Sequence, residues 1–214
     1  MRAIFRALAW TAALLPALSA IPASAQAAPA VCEVAALSGE AKSGPKALKV
    51  GDRLEAGTEV ATAAKGRMRL RCVDGSSVVL GDATTLKIAE FKPPADGQPR
   101  AATLVLTLGV IGQKVAPGGA GSSWEVRTPS AVTAVRGTEF VVEVSGEQAT
   151  AVLVQTGEVA VESTARTRGI GPRKPIKLNP DAAGTQCNLG SGCTGAANWT
   201  QERVREVQDK LAGI

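Results

Sequence analysis

The sequence predicts an all-β domain, a compact β-roll or sandwich or a short β-solenoid of about ten to twelve short strands, with one C-terminal helix. Three observations predict it. The 214 residues include 23 glycines and 12 prolines but no His and no Tyr, and aromatics are only 3%. Val and Thr are plentiful, and β-branched runs punctuated by glycine suit short strands joined by turns. The run Arg67 to Val73 alternates, with Met68, Leu70 and Cys72 on one side and Arg67, Arg69 and Arg71 on the other, which is the period of a half-buried strand. Finally, the chain echoes itself. Gly57-Thr58-Glu59-Val60 returns as Gly137-Thr138-Glu139-Phe140, a further glycine follows each (Gly66, Gly146), and Asp74-Gly75 and Thr156-Gly157 come later. Two copies of one strand–turn unit fit two packed halves of a roll or successive turns of a solenoid.

The order of elements begins with a leader. Arg2 and Arg6 precede an apolar run from Ala7 to Leu18, and Ala23-Ser24-Ala25 is an A-x-A cleavage site. Residues 1–25 therefore read as a secretory signal peptide, its apolar core short for a membrane span. A lipoprotein fits poorly, because Val31, directly before Cys32, sits where a lipobox would have a small residue. Removal of the leader lowers the formal charge from +5 to +3 by taking Arg2 and Arg6. A mildly basic chain gives no case for nucleic acid as a partner. No transmembrane anchor is expected after cleavage.

Residues 26–163 read as the β domain. Val31 to Leu37 is a strand. Val50-Gly51-Asp52 and Ala56-Gly57-Thr58 are turns flanking a short run. After the strand at Arg67, Asp74-Gly75 is a hairpin signal, with Ser76 to Leu80 returning and Thr84 to Phe91 following. Lys92 to Arg100, with Pro93, Pro94, Gly97 and Pro99, is an exposed loop. Thr103 to Ile111 is a strand with Leu104, Leu106 and Leu108 on one face, and Ala116 to Ser123 is a Gly-rich loop. Trp124 to Thr128, Ala131 to Val135, Thr138 to Val144, Ala149 to Gln155 and Glu158 to Glu162 complete the domain. Residues 164–214 read as a tail, basic at first and then Gly-rich, ending in a helix over Asn198 to Leu211. Asn198 or Thr200 can cap that helix, and Trp199, Val204, Val207 and Leu211 share a stripe that would cover the open end of the β core.

Four cysteines, Cys32, Cys72, Cys187 and Cys193, allow three disulfide connectivities in an exported chain. The favoured pairing is Cys32–Cys72, tying the opening strand to the core, and Cys187–Cys193, closing a small Gly-rich loop. Zinc is disfavoured by the spacing and by the lack of His.

Catalytic chemistry finds little purchase. Without His there is no Ser-His-Asp or Cys-His arrangement. No Gly-rich loop leads into a Lys-Ser/Thr helix to cradle phosphate. Acids sit in turns (Asp52, Asp74, Asp82, Asp96) or on polar strand faces (Glu139, Glu143, Glu158, Glu162), where turn geometry and solvation account for them. No metal, cofactor or catalytic residue is expected. The sharpest surface feature is Arg67, Arg69 and Arg71. Three guanidiniums on one strand face are either a solvated, edge-protecting face or a grip for an acidic partner, lipopolysaccharide phosphates or peptidoglycan carboxylates.

The order of short motifs resembles the FecR domain family. It is carried by Val50-Gly51-Asp52, Gly57-Thr58, Asp74-Gly75-Ser76 before an apolar strand, Thr128-Pro129, then Arg136-Gly137-Thr138-Glu139-Phe140, and a closing Gly157-Glu158-Val159. The resemblance covers roughly residues 31 to 162. It implies a periplasmic β domain, which in the best-known members receives a signal from an outer-membrane receptor and passes it through a transmembrane helix to a segment controlling a sigma factor. This chain shows no cytoplasmic segment ahead of its leader, so only the periplasmic module carries over. Arg136, alternating with Val132 and Ala134, reads as a structural residue holding a turn or pairing with Glu139. Three functions compete: a non-catalytic module binding an unidentified envelope protein or polymer; a structural subunit of a surface or secretion assembly; and an envelope-glycan enzyme working through a carboxylate pair.

Overall fold

The computed structural model describes residues 28–95, 98–165, 174–181 and 183–214. The expected leader, and Gly97 and Asp96 of the central loop, lie outside the described residues. Seventeen strands and one helix are present among them, more strands than the ten to twelve expected. The additional ones are short pieces that pattern alone does not announce, because two- to five-residue strands are defined by their partners.

The strands form two sheets. Across the first run β4 (Arg53–Glu55), β1 (Ala30–Ser38), β6 (Arg67–Cys72), β7 (Ser77–Leu80), the second half of β9 (Ala101–Lys114), β12 (Glu139–Val144), β13 (Thr150–Thr156), β16 (Gly184–Asn188) and β17 (Gly192–Cys193), all antiparallel. Across the second run β3 (Lys46–Ala47), β2 (Ala41–Ser43), β5 (Glu59–Thr62), β8 (Thr85–Lys92), the first half of β9, β10 (Ser123–Arg127), β11 (Ala131–Val135), β14 (Val159–Ser163) and β15 (Ile176–Leu178). Only β9 and β10 are parallel.

Inward side chains of both sheets make one core. Met68, Leu70, Leu80, Ile111, Phe140 and Val152 come from the first sheet, and Leu86, Ile88, Leu104, Leu106, Trp124 and Val161 from the second. Each such aliphatic side chain, once buried, stabilises the fold by ~1.5–3 kcal/mol. With few aromatics available, aliphatic side chains carry that burden.

Strand β9 belongs to both sheets and turns the corner between them. Ala102, Leu104 and Leu106 point inward along its first half, Ile111, Gln113 and Val115 along its second and just beyond. The phase changes at Gly109, whose φ is +92° and whose missing Cβ would fall on Thr84. Thr84 Oγ1 accepts from Val110 N at 3.0 Å, and Thr62 Oγ1 accepts from Thr84 N at 2.9 Å, which locks the corner. Leu108 is therefore 41% exposed instead of sharing the face of Leu104 and Leu106, because the expected alternation breaks at the corner.

The internal echo is local. Gly57 and Gly137 both have positive φ, and Val60 and Phe140 are both buried, but β5 joins the second sheet and β12 the first. The segment expected as a tail instead extends both sheets, through β15 beside β14 and β16 beside β13. Cys32–Cys72 joins facing residues of β1 and β6, and Cys187–Cys193 joins facing residues of β16 and β17, the pairing favoured from sequence.

Helix α1 (Gln201–Asp209) is capped by Thr200, whose hydroxyl accepts from Arg203 N at 3.3 Å. Nine residues are too few for a helix to stand alone. It rests across the outer face of the first sheet, where Val207 is buried against Val110, Val141 and Leu153, with Trp199, Val204 and Leu211 half-buried around them. The stripe thus covers a sheet face, not the end of the core. No helix among the described residues is long and apolar enough to cross a membrane.

Candidate interaction surfaces

On the outer face of the first sheet one cross-strand row runs Arg69, Val79, Gly112, Val141, Leu153, Gly184. Its glycines make room for the helix. A Cβ at Gly112 would meet the Leu211 side chain, one at Gly184 the Trp199 ring, and one at Gly81 the Lys210 carbonyl. Glu143, on the same face, accepts from Arg203 at 2.5 Å and from Lys210 at 2.6 Å. Glu206 bridges the same two cations from the solvent side. Hydrogen bonds from Lys210 first, then Arg203, pull the Glu206 carboxyl down to about 2.

The candidate arginine face is divided by this arrangement. Arg67 donates through Nε to the Lys210 carbonyl at 3.2 Å and through a terminal nitrogen to the Asp209 carbonyl at 3.4 Å. Arg69 donates to Ile214 O. Both cations therefore sit at the C-terminal, electronegative end of α1 and hold the chain's own last residues. The three arginines are thus not one open binding face, because the chain folds back onto two of them. Arg71 stays exposed and makes no ion pair or hydrogen bond among the described residues. It stands across from Glu33, which on its other side faces Arg53. Arg53, Glu33, Arg71 and Val73, which is 61% exposed, line a shallow cavity of about 430 Å³ over the Cys32–Cys72 disulfide.

On the outer face of the second sheet the register aligns Thr103, Glu125, Ala134, Ala160 and Lys177 in one row. Small side chains at three of those positions leave a trench of about 480 Å³, which Ser122, Ser123, Arg136 and Glu158 also line. Arg136 is exposed here, sharing the outward face with Ala134 while Thr133 and Val135 point inward, so it is not a buried turn-holder. Nor does it pair with Glu139, whose partner is Lys114 at 2.6 Å. Two acids do share this concave surface, but Glu125 is bound by Arg127 at 2.7 Å and Glu158 by Lys177 at 3.5 Å.

The other motif residues build turns. Asp52 accepts from Lys49 N at 2.9 Å and from Lys46 Nζ at 3.2 Å, and the Lys49 amide lowers its pKa first. Gly51, Gly57, Gly75 and Gly157 take positive φ, and Thr58 closes its turn by donating to the Glu55 carbonyl. Thr128 Oγ1 accepts from Ala131 N and meets Thr150 Oγ1 at 2.7 Å, while the Pro129 carbonyl accepts from Thr164. Thr138 and Phe140 are buried.

Asp74, expected as a solvated turn residue, is buried instead. Its carboxylate accepts from Arg100 at 2.7 Å with both side chains within 3% of full burial. It also accepts from Ser76 N and Ser76 Oγ, and Arg100 donates to the Ala116 carbonyl. The Arg100 guanidinium lies 5.5 Å from the centre of the Trp124 ring, whose Nε1 donates to Gln113. This pair clamps the β6–β7 turn to both ends of β9. Arg100 escaped the sequence reading because it follows a proline-rich loop and nothing local marks it as buried.

A family model described as FecR protein matches residues 58–160. A search of curated proteins finds no match. Among solved structures, two of a "putative anti-sigma factor" from Parabacteroides distasonis ATCC 8503 are similar at 23% identity, with TM-scores of 0.50 and 0.49. The match covers 65% of this chain and 60% of theirs, and at that identity the first is a likeness of fold alone. The matched stretch begins at the Gly57-Thr58 turn, takes in the buried Asp74–Arg100 clamp and the Arg136-Gly137-Thr138 turn, and ends in β14, so what this chain shares with the FecR family is the domain at residues 58–160.

Proposed function

We propose that this protein is a periplasmic or secreted FecR module that binds a protein partner or an envelope component, in signalling or scaffolding and without catalysis. The observation that carries the reading is the Arg53–Glu33–Arg71 patch. It presents two unpaired guanidiniums and the exposed Val73 on a rigid, disulfide-tied edge, while the neighbouring Arg67 and Arg69 are used internally. Such a patch suits a partner bearing a carboxylate or phosphate beside an apolar side chain. The signal peptide read from sequence and two disulfides support an oxidising compartment.

The test is site-specific photo-crosslinking in the native envelope with the reactive residue at Val73, which lines the same cavity as Arg71, compared with one at Lys87 on the other sheet. A defined adduct at Val73, lost when Arg53→Glu/Arg71→Glu is added, is expected. Adducts insensitive to that charge reversal, or none from folded and abundant protein, would overturn the reading. A structural-subunit role would show instead as concentration-dependent self-association in light scattering.

A further inference from the structure

We infer that the trench on the second sheet is a separate site, which takes an acidic side chain from an extended segment of a protein partner, with Arg136 as the carboxylate anchor. In the trench strand register sets Ala134 beside Ala160, with Glu125 between Ala134 and Thr103, so a segment can lie close to the backbone over the two alanines. Its charges are sorted. Glu125 is bound to Arg127 and Glu158 to Lys177, whereas Arg136 makes no ion pair or hydrogen bond among the described residues. One guanidinium is thus left with its full donor set in a concave surface, the arrangement that suits a bidentate carboxylate.

The position of Arg136 is also prepared. Gly137 follows at φ +61°, and a Cβ there would come within 3.1 Å of Pro117 Cα, so the turn is held against its neighbour. Continuing the Trp124–Val135 and Val135–Val159 register by one residue sets Arg136 between Ser123 and Glu158. Ser123, exposed on the outward face, lines the trench beside it. The guanidinium of Arg136, with no partner of its own among the described residues in this concave surface, calls for an acceptor from outside.

Charge complementarity selects the kind of partner. The acids Glu125 and Glu158 on the walls would repel a polyanion such as a phosphate-rich polymer, whereas a single carboxylate flanked by small or β-branched residues meets Arg136 without crowding them. This site shares no residue with the Arg53–Arg71 patch, so the two readings fail separately.

The experiment is a titration of the purified full chain by amide-resolved NMR with the peptide acetyl-Ala-Val-Asp-Val-Ala-amide, its Asp→Asn counterpart, and sodium phosphate. Saturable shifts at Ser123, Ala134, Arg136 and Ala160 are expected with the Asp peptide, at least about fivefold weaker with the Asn peptide. Arg136→Gln should erase that preference and Arg136→Lys should restore part of it. Arg71→Glu should leave it unchanged. Equal binding of the two peptides, no shifts at these amides, or tighter binding of phosphate than of the Asp peptide would overturn the proposal. Arg136 is exposed, so the variants keep the spectrum of the folded chain and the comparison stays readable.

Discussion

The outer face of the first sheet carries Val110, Val141 and Leu153 among Gly81, Gly112 and Gly184, and a helix lies on it; the outer face of the second carries Thr103, Ala134 and Ala160 and stays open. Both faces are made of short side chains, yet they end differently. On the first, apolar groups next to bare glycine backbone gain by excluding water, and Glu143 offers a charge that Arg203 and Lys210 meet. On the second, small residues alternate with charged ones, of which Glu125, Glu158 and Lys177 hold partners and Arg136 does not among the described residues, so little apolar area is gained by covering it. What distinguishes the face that is filled from within is the apolar area it offers, more than its depth.

This contrast can be broken in order of effect. The largest loss should come from beneath the second face. Arg100→Met leaves Asp74 buried without its cation and should cost about 3–5 kcal/mol in denaturant unfolding, with Asp74→Asn added on top recovering part of it. Next is Val207→Asp, which sets an unpaired charge on the apolar seat. It should cost about 2–4 kcal/mol and remove hydrogen-exchange protection from residues 201–209 first.

A pair of small-to-larger changes sharpens the comparison. Gly184→Ala drives a Cβ into the Trp199 ring and should weaken helix docking by about 1–3 kcal/mol. Ala134→Val, in the open trench, should stay within about 0.5 kcal/mol by the same thermal measurement. An equal loss at both positions would mean that the faces do not differ as described.

The smallest effect is acid loosening of the helix. The Glu206 carboxyl has its pKa depressed from 4.5 to about 2 in the folded chain, so its bonds to Lys210 and Arg203 contribute fully above pH 4.5 and are lost as pH falls through 2. The group is half exposed and solvent screens it, so the effect is modest. Exchange protection of α1 should fall across that window while that of β10 and β11 holds steady.

Much of the fold was legible because period-two alternation survives wherever a strand is longer than about four residues. Arg67 to Cys72 and Ala131 to Val135 fall where the alternation puts them. Strands β2, β3, β5, β15 and β17 were not legible, since so few residues carry no period and exist only through their partners, and five-residue β16 was hidden in a stretch whose glycines read as a tail. Among site residues, Arg71 reads correctly as exposed, while Arg67 and Arg69 do not reveal that the C-terminus returns to them. Arg136 misleads for a local reason. It alternates with small residues, which look like core in sequence, yet the buried set on β11 is Ala131, Thr133 and Val135.

By itself the sequence determined the all-β character, the order of the longer strands, the turns set by glycine and aspartate and the apolar stripe of the C-terminal helix. These follow from near-neighbour chemistry: alternation, positive-φ glycines and compositional punctuation. The tertiary structure decided that β9 serves two sheets, that the helix lies on one outer face and leaves the other open, and that Asp74 is buried with Arg100. Those outcomes depend on groups brought together from distant parts of the chain, such as Glu143 with Lys210 and Asp74 with Arg100. Burial and charge pairing are properties of the assembled surfaces, and no local pattern encodes them.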